Sequence, residues 1–179
     1  LELGGEVQYG SEVIDILVKE DRAFVSQHIG DLENLATYEA FQATVAHLRQ
    51  VLEIHPRAIA CDLHPDYLST RYAQEQTALP VLQVQHHHAH IASALAEHGL
   101  DEKVIGVSFD GTGLGDDGRI WGGEFLLADL NEYRRLFHFD YLPMPGGDRV
   151  TSEPWRMALS YLYRAFGKNY PEINLPFLE

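Results

Sequence analysis

The sequence predicts an α/β fold in which strands that follow one another directly give way to strands that alternate with helices. Three observations support this prediction. Short apolar runs of strand length recur along the chain, amphipathic segments with helical spacing separate several of them, and Gly-rich turns join the others. Alternation of strands with helices indicates parallel strands, because parallel neighbours need a crossover connection.

The first half of the sequence contains a meander of strands followed by a helix. A short strand is predicted around residues 1–3, then a turn at Gly4-Gly5 and strands at 13–18 and 23–28. A helix is predicted at 34–52, because apolar residues recur there at helical spacing. The next predicted elements are a strand at 58–61, a helix at 67–76, a strand at 81–84 and a helix to about residue 98.

The second half repeats this order of elements without visible sequence identity. It is predicted to contain a strand at 104–109, a Gly-rich hairpin, strands at 120–128 and 133–139, and a helix at 153–166. Tyr161, Leu162 and Phe166 of that helix are expected to be packing residues. This order is that of a ribonuclease H-like lobe of the actin/sugar-kinase/Hsp70 superfold. We therefore expect a first lobe at 1–103 and an incomplete second lobe at 104–179.

Composition limits the classes of function. The formal net charge of −14 argues against binding of nucleic acid, which needs lysine and arginine to replace counterions. No apolar run approaches the roughly 20 residues of a membrane span, so no membrane contact is expected. The single cysteine, Cys61, excludes an internal disulfide and fits a reducing, cytoplasmic compartment. We expect Cys61 to be a buried structural thiol.

Four of the five residues from 86 to 90 are histidines, at the start of the helix predicted after strand 81–84. Residues four apart lie one turn apart on the same face of a helix, so His86 and His90 can point at one ion. Asp110, at the end of the next predicted strand, can complete a partial shell or orient a nucleophile. Mixed imidazole and carboxylate ligands suit iron or zinc. A helical turn can also pack or solvate two histidines without any metal.

Asp110 opens a Gly-rich run that extends to Gly118. The glycines at 111, 113 and 115 let backbone N–H groups approach a ligand closely, and a threonine hydroxyl lies among them. Such a run favours an anion-binding loop for the phosphates of a nucleotide. The alternative is a turn that merely joins two strands. The run matches neither the dinucleotide-binding nor the Walker pattern, because neither a helix nor Gly-Lys-Ser/Thr follows it.

Several motifs together resemble one family. They are Ser26-Gln-His-Ile-Gly-Asp-Leu-Glu-Asn34, Cys61-Asp-Leu-His-Pro-Asp-Tyr-Leu-Ser-Thr70, Val84-Gln-His-His-His-Ala-His-Ile-Ala-Ser93, Trp121-Gly-Gly-Glu124, Pro145-Gly-Gly-Asp148 and Glu153-Pro-Trp-Arg156. From residue 23 onward the chain resembles the HypF family of carbamoyltransferases, which act in NiFe hydrogenase maturation. The likeness covers the front of that family's C-terminal domain, which is similar to the transferases that make threonylcarbamoyladenosine on tRNA.

The resemblance implies a chemistry, a nucleotide and a partner. A carbamoyl-adenylate intermediate passes its carbamoyl group to the C-terminal cysteine of the acceptor protein HypE, on the route to the cyanide ligands of the hydrogenase iron. ATP or carbamoyl-adenylate is therefore the expected nucleotide. The residues that match the family's nucleotide-phosphate hairpin are Gly111, Thr112, Gly113 and Gly115.

The resemblance also implies the metal ligands. His86 and His90 match the family's metal-ligand histidines, and Asp110 matches an aspartate ligand of the same site. A further aspartate ligand is expected later in the second lobe, beyond the last residue of this chain. His87 and His88 are expected to turn away from the ion, because they lie between the ligands on the helix.

Three further residues are candidates for contact with substrate. His64 and Asp66 follow a strand end, where ligands bind in open α/β sheets. The same Asp-x-His-Pro-Asp stretch also makes a good turn and helix cap. Arg156, near the start of the last predicted helix, can reach a phosphate or carbamoyl group, or it can pair with Glu153.

Two other functions stay open. An ATP-dependent small-molecule kinase of the same superfold would not need His86, because such kinases use carboxylate-held Mg²⁺. A non-catalytic docking remnant is suggested by the short second lobe and by the first hairpin, Gly4-Gly-Glu-Val-Gln-Tyr-Gly10, which lacks the lysine usual in the family. An incomplete lobe exposes apolar surface, so we expect the isolated chain to lack transfer activity and to self-associate.

Overall fold

The computed structural model describes residues 3–9, 12–30, 32, 34–110 and 113–172. Residues 1 and 2 of the predicted first strand lie outside the described residues, as do Gly111 and Thr112 of the predicted phosphate hairpin. The described strands form a five-stranded sheet, a three-stranded sheet and a two-stranded ribbon. Over the same described ranges, no helix combines the length and the apolar character that crossing a membrane requires.

The first half of the chain builds the five-stranded sheet. Its strands are β1 (Leu3–Tyr9), β2 (Glu12–Lys19), β3 (Arg22–Val25), β4 (Ala58–Asp62) and β5 (Val81–Val84), in the order β3-β2-β1-β4-β5. The first three strands are antiparallel, whereas β4 pairs in parallel with β1 and with β5. Helices α1 (Leu35–Val51) and α2 (Leu68–Glu75) precede β4 and β5 in the chain. The structure therefore contains the predicted alternation of strands and helices.

The turn predicted at Gly4-Gly5 is wrong. Both glycines lie inside β1, and Gly4 pairs with Leu17 of β2 on one side and with Ile59 of β4 on the other. β1 is the middle strand of the sheet, so its backbone finds ladder partners along both edges. These partners outweigh the local preference of two glycines for a turn.

Helix α1 has the apolar face that its spacing predicts. Asn34 caps its N-terminus by accepting a hydrogen bond from the amide of Thr37 at 2.9 Å. Phe41 and Val45 are buried on the side of the helix that packs against β2. Lys19 of β2 donates to two carbonyl oxygens just past the end of the helix, at 3.1 and 3.3 Å. A cation is stabilised at this end by the helix dipole.

Helix α3 (His86–Glu97) begins where β5 ends. Asp62, the last residue of β4, pairs in parallel register with Val84, the last residue of β5. Because the carboxyl ends of neighbouring parallel strands meet at one edge of a sheet, Asp62 lies beside the first turn of α3. Gln85 caps this helix, since its side-chain oxygen accepts a hydrogen bond from the His88 amide at 3.0 Å.

The second half builds a three-stranded antiparallel sheet from β6 (Val104–Ser108), β9 (Glu124–Ala128) and β10 (Tyr133–His138), in the order β10-β9-β6. The ribbon consists of β7 (Gly113–Leu114) and β8 (Ile120–Trp121). The single strand predicted at 120–128 is therefore broken at Gly122-Gly123. A Cβ on Gly123 would lie 2.4 Å from the Phe139 ring, so only glycine lets the chain leave the ribbon here and join the sheet.

Helix α3 covers one face of this second sheet. The buried cluster between them comprises Ile91, Leu95, Trp121, Leu126 and Ala128. A Cβ on Gly106 would come within 2.3 Å of the Ile91 side chain, so glycine in β6 lets the helix approach the strand. This close packing fixes the position of α3 relative to the end of β6.

The last helices differ from the prediction. A short helix, α4 (Arg149–Ser152), precedes α5 (Trp155–Phe166), and a 3-10 helix (Gly167–Glu172) follows it. Leu162 is half-buried, but Tyr161 and Phe166 are exposed, so their prediction as packing residues is wrong. No residue of α5 is buried by the described part of the chain. Amphipathic spacing predicts a face that can pack, but it does not supply the partner.

The face of the second sheet that α3 does not cover carries apolar side chains. Cross-strand register places Val107, Phe125 and Phe137 side by side on it. Ile105 lies two residues from Val107 along β6 and therefore on the same face, and Phe137 is 72% exposed. Contiguous exposed apolar residues of this kind recruit partners or other copies of the chain.

We expect Phe137→Lys to reduce self-association of the isolated chain, because a charge on this apolar face opposes its burial against a second copy. The measurement is light scattering over a range of protein concentrations. Asn131→Lys, which adds the same charge in the adjoining turn, should leave association unchanged. A parent chain that is monomeric at every concentration would contradict the expectation.

Candidate metal centre

The packing of α3 on the second sheet brings His86, His90 and Asp110 together. The Nε2 atom of His86 lies 2.6 Å from Oδ2 of Asp110, and the Nε2 atom of His90 lies 3.4 Å from the same oxygen. The two Nε2 atoms are 3.2 Å apart. The three residues were predicted from helical spacing and from a strand end. In the structure they form a compact group of three potential ligand atoms.

This group has the donors and the spacing that a transition metal needs. Ligand atoms in tetrahedral positions about 2.1 Å from an ion lie about 3.4 Å apart. Two of the three separations are near that value, and the shortest is a direct hydrogen bond between His86 and Asp110. His86 is largely buried, whereas the His90 side chain is 45% exposed, so the group is open on the His90 side. The residues fit iron or zinc, and the assignment of the ion stays a prediction.

His86 also contacts a residue that was not among the predicted site residues. Its Nδ1 atom lies 2.8 Å from Oδ2 of Asp62, so the imidazole lies between two carboxylates. Hydrogen bonds to Asp110 and Asp62 raise the pKa of His86 to about 9, although burial opposes this shift. A metal ion at Nε2 must therefore displace a proton.

His87 and His88 turn away from the group, and both are buried. His88 Nε2 lies 2.8 Å from the carbonyl oxygen of Asp129. The side-chain nitrogen of Gln85 lies 3.1 Å from Nδ1 of His87, and because an amide nitrogen donates, the imidazole carries its proton on Nε2. Burial lowers the pKa of His87, which keeps the ring neutral. Two of the four histidines therefore have structural roles.

Gly113 and Gly115 of the predicted phosphate hairpin leave space for neighbouring side chains of the protein itself. A Cβ on Gly113 would lie 2.6 Å from the His87 ring, and a Cβ on Gly115 would lie 2.0 Å from Nε1 of Trp121. Close packing on α3 and β8 thus requires glycine at both positions. Gly111 and Thr112 lie outside the described residues. Binding of nucleotide phosphate by these four residues stays a prediction.

A cleft of about 650 Å³ opens beside Asp110. Its lining also includes Trp121 with the adjoining Gly122-Gly123, and Met144 and Met157. The cleft therefore combines a carboxylate of the candidate metal group with apolar side chains. Such a combination is typical of small-molecule sites.

A buried ion pair supports the floor of this cleft. Glu124 is 2% exposed, and Arg135 reaches its two carboxylate oxygens at 2.6 and 3.0 Å. The guanidinium also lies 4.0 Å from the centre of the Trp121 ring and 2.7 Å from the Tyr141 hydroxyl. Tyr141 donates to Asp117, which holds the pKa of that carboxyl at about 2. No motif in the sequence indicates this network, because it depends on cross-strand register.

Each of the three candidates for substrate contact interacts with residues close to it in the sequence. His64 stacks on Tyr67 with ring centres 4.4 Å apart, and its backbone amide donates to Asp62 at 2.8 Å. Asp66 pairs with Arg71 at 3.1 Å on the surface. Arg156 forms the alternative ion pair with Glu153 at 2.5 Å. His64 alone of the three is linked to the candidate metal group by the described contacts, through Asp62, and a substrate role for all three stays a prediction.

Comparison with solved structures defines the class of fold. YeaZ from Pseudomonas aeruginosa superposes with a TM-score of 0.51 over 80% of this chain and 68% of that chain, and its 18% identity shows a shared fold alone. A crystal structure of full-length HypF in the phosphate- and nucleotide-bound form gives a TM-score of 0.83 at 40% identity. That match covers 90% of this chain and 25% of the HypF chain. The chain has a Kae1-like fold, of the actin/sugar-kinase/Hsp70 type.

Sequence comparison defines the family. Residues 9–97 match the family model for the HypF Kae1-like domain, and residues 106–176 match the model for the second subdomain of the carbamoyltransferase Kae1-like domain. Carbamoyltransferase HypF2 of Cupriavidus necator is 59% identical over 150 residues, which are 82% of this chain and 19% of that relative. The chain belongs to the HypF family. It spans about a fifth of the length of the curated relatives it matches.

Proposed function

We propose that this chain supplies the metal centre and part of the nucleotide site of a carbamoyltransferase that acts in hydrogenase maturation. The observation that carries this proposal is the convergence of His86, His90 and Asp110 in a chain of the HypF family. The carbamoyltransferase names of the relatives favour group transfer over the phosphoryl transfer of a kinase. The cytoplasm is the proposed location.

The architecture that goes with this function is a pair of ribonuclease H-like lobes. We assign the first lobe to residues 1–103 and the start of the second, incomplete lobe to 104–179. The strand order β3-β2-β1-β4-β5 supports the first assignment, and the order β10-β9-β6 corresponds to the meander of the second. On this assignment the chain is a partial domain that does not catalyse transfer by itself.

In the proposed reaction the carbamoyl group of carbamoyl-adenylate passes to the C-terminal cysteine of a HypE-like acceptor. The cysteine thiol loses its proton to water, its sulfur forms a bond to the carbamoyl carbon, the bond from that carbon to the phosphate oxygen breaks, and AMP leaves with the bonding electron pair. His86, His90 and Asp110 would hold the ion, which when bound would supply Lewis-acid stabilisation of negative charge. The hairpin that contains Gly111, Thr112, Gly113 and Gly115 would bind the phosphate of ATP or of the adenylate. The nucleotide-bound HypF relative supports a nucleotide in this family.

The test is a segment exchange in a full-length relative. Residues 9–176 of this chain replace the matching segment of Cupriavidus necator HypF2, and carbamoylation of HypE is followed by mass spectrometry with carbamoyl-adenylate present. We expect the chimera to carbamoylate the acceptor. A chimera with His86→Ala and His90→Ala should lose more than about 90% of the rate, because two of three ligands are removed.

The control chimera carries His98→Ala, which removes an exposed imidazole from the end of the same helix. It should carbamoylate HypE at the rate of the unmodified chimera. If the double variant is as active as that control, the three residues do not hold a catalytic ion. If the unmodified chimera is folded but inactive, the proposed function is wrong.

A further inference from the structure

We propose that Asp62 is a positioning residue, which fixes the tautomer and the ring orientation of His86 so that Nε2 faces the ion. This inference rests on the proposed metal centre and extends it to a residue outside the ligand group. Asp62 comes from β4, whereas the three candidate ligands come from α3 and from the segment that follows β6. A third element of the fold therefore takes part in the site.

The contact between Asp62 and His86 has the geometry of a charge-assisted hydrogen bond. Oδ2 of Asp62 lies 2.8 Å from Nδ1 of His86, and the side chains are only 15% and 13% exposed. A carboxylate can only accept, so Nδ1 keeps its proton, and an ion that displaces the other ring proton meets the lone pair of Nε2 on the opposite side of the ring. On that side lie Asp110 and His90, the two other candidate ligands. Metal-bound histidines usually have an acceptor of this kind at their second nitrogen.

The Asp62 carboxylate is itself held in place. Its other oxygen, Oδ1, accepts a hydrogen bond from the backbone amide of His64 at 2.8 Å. The Asp62 carbonyl oxygen accepts from the buried hydroxyl of Thr70 at 3.2 Å. The parallel register that pairs Asp62 with Val84 fixes the backbone itself. The carboxylate can therefore hold the imidazole without losing freedom when an ion binds.

The contacts of the Asp62 carboxylate with His64 and His86 lead to a specific prediction for Asp62→Asn. An asparagine has one acceptor oxygen, and the His64 amide requires it, so the side-chain NH₂ must face Nδ1 of His86. Nδ1 then has to accept, and the ring proton moves to Nε2, where it blocks the ion. In Asp62→Ala no donor faces Nδ1, and the ring can still adopt the correct tautomer. A role in packing alone predicts the opposite order, because alanine removes more atoms than asparagine does.

The experiment measures the affinity of the whole chain for Zn²⁺ by competition with a chromophoric chelator. We expect Asp62→Asn to bind Zn²⁺ about 10- to 100-fold more weakly than the parent, and Asp62→Ala to lie between them. Asp101→Asn, which changes an exposed aspartate far along the chain, should match the parent. Circular dichroism confirms that each variant is folded.

Nitrogen-detected NMR of the histidine rings gives the readout that packing alone would not change. The proton of His86 should be on Nδ1 in the zinc-bound parent and on Nε2 in Asp62→Asn. Equal zinc affinity of the parent and Asp62→Asn would overturn the role of Asp62 and leave the metal centre standing. A folded parent that does not bind zinc or iron would overturn the metal centre and, with it, the positioning role.

Discussion

Arg135→Ala is expected to destabilise the chain by about 3–5 kcal/mol, because it leaves Glu124 as a buried charge without its cation. Glu124 is 2% exposed, and its two oxygens accept from Nε and one terminal nitrogen of Arg135 at 2.6 and 3.0 Å. The substitution also removes the guanidinium from the face of Trp121. Urea unfolding, followed by tryptophan fluorescence at low protein concentration, measures the loss as a lower midpoint.

Arg134→Ala is the matched control, because Arg134 precedes Arg135 on the same strand and is exposed. Its free energy of unfolding should stay within about 0.5 kcal/mol of the parent value. The double variant Glu124→Gln, Arg135→Met should recover part of the stability lost in Arg135→Ala, because no buried charge is left. A loss below about 1 kcal/mol in Arg135→Ala would show that water or a proton compensates Glu124.

This ion pair connects the stability of the fold to the shape of the cleft. Glu124 accepts a hydrogen bond from the Gly122 amide at 3.3 Å, and Gly122 accepts one from the Asp110 amide at 3.1 Å. The backbone of Asp110 is thus tied to the network that Arg135 completes. A variant that breaks the network should disturb the position of Asp110 as well as the cleft floor.

The sequence predicted those elements whose signal is local. The helix predicted at 34–52 is found at Leu35–Val51, because apolar spacing and the Asn34 cap act within the segment. The paired glycines at 4 and 5 misled the prediction, since their partners come from strands remote in the sequence. The break at Gly122-Gly123 was missed for the same reason, because it depends on the ring of Phe139.

The residues of the candidate site also differ in whether a local sequence signal could predict them. His86 and His90 could be paired from helical spacing, and Asp110 could be added because it ends a strand. Asp62 was missed although a signal existed. It follows strand 58–61, and the next predicted strand leads into the histidine helix, so parallel pairing of the two would have placed it beside His86. The pairing of Glu124 with Arg135 had no such signal, because a bulge near Arg135 shifts the register of β10.

The purified parent chain is expected to contain a divalent transition metal, and the double variant His86→Ala, His90→Ala is expected to contain less than about a tenth of that amount. The reason is that two of the three convergent ligand atoms are lost, and a single aspartate holds such an ion only weakly. Elemental analysis of protein expressed with both iron and zinc measures the content and also identifies the metal.

His98→Ala is the control here too, because it removes an exposed imidazole from the end of α3 without touching the ligand group. It should retain the parent amount of metal. Equal metal in the parent and in the double variant would show that the ion binds elsewhere or adventitiously, and a kinase-like site with carboxylate-held Mg²⁺ would then be the better account of the cleft. Metal that is lost only when His86 and His90 are removed would instead place the ion at the junction of α3 and β6, where Asp110 and Asp62 contact the same imidazole.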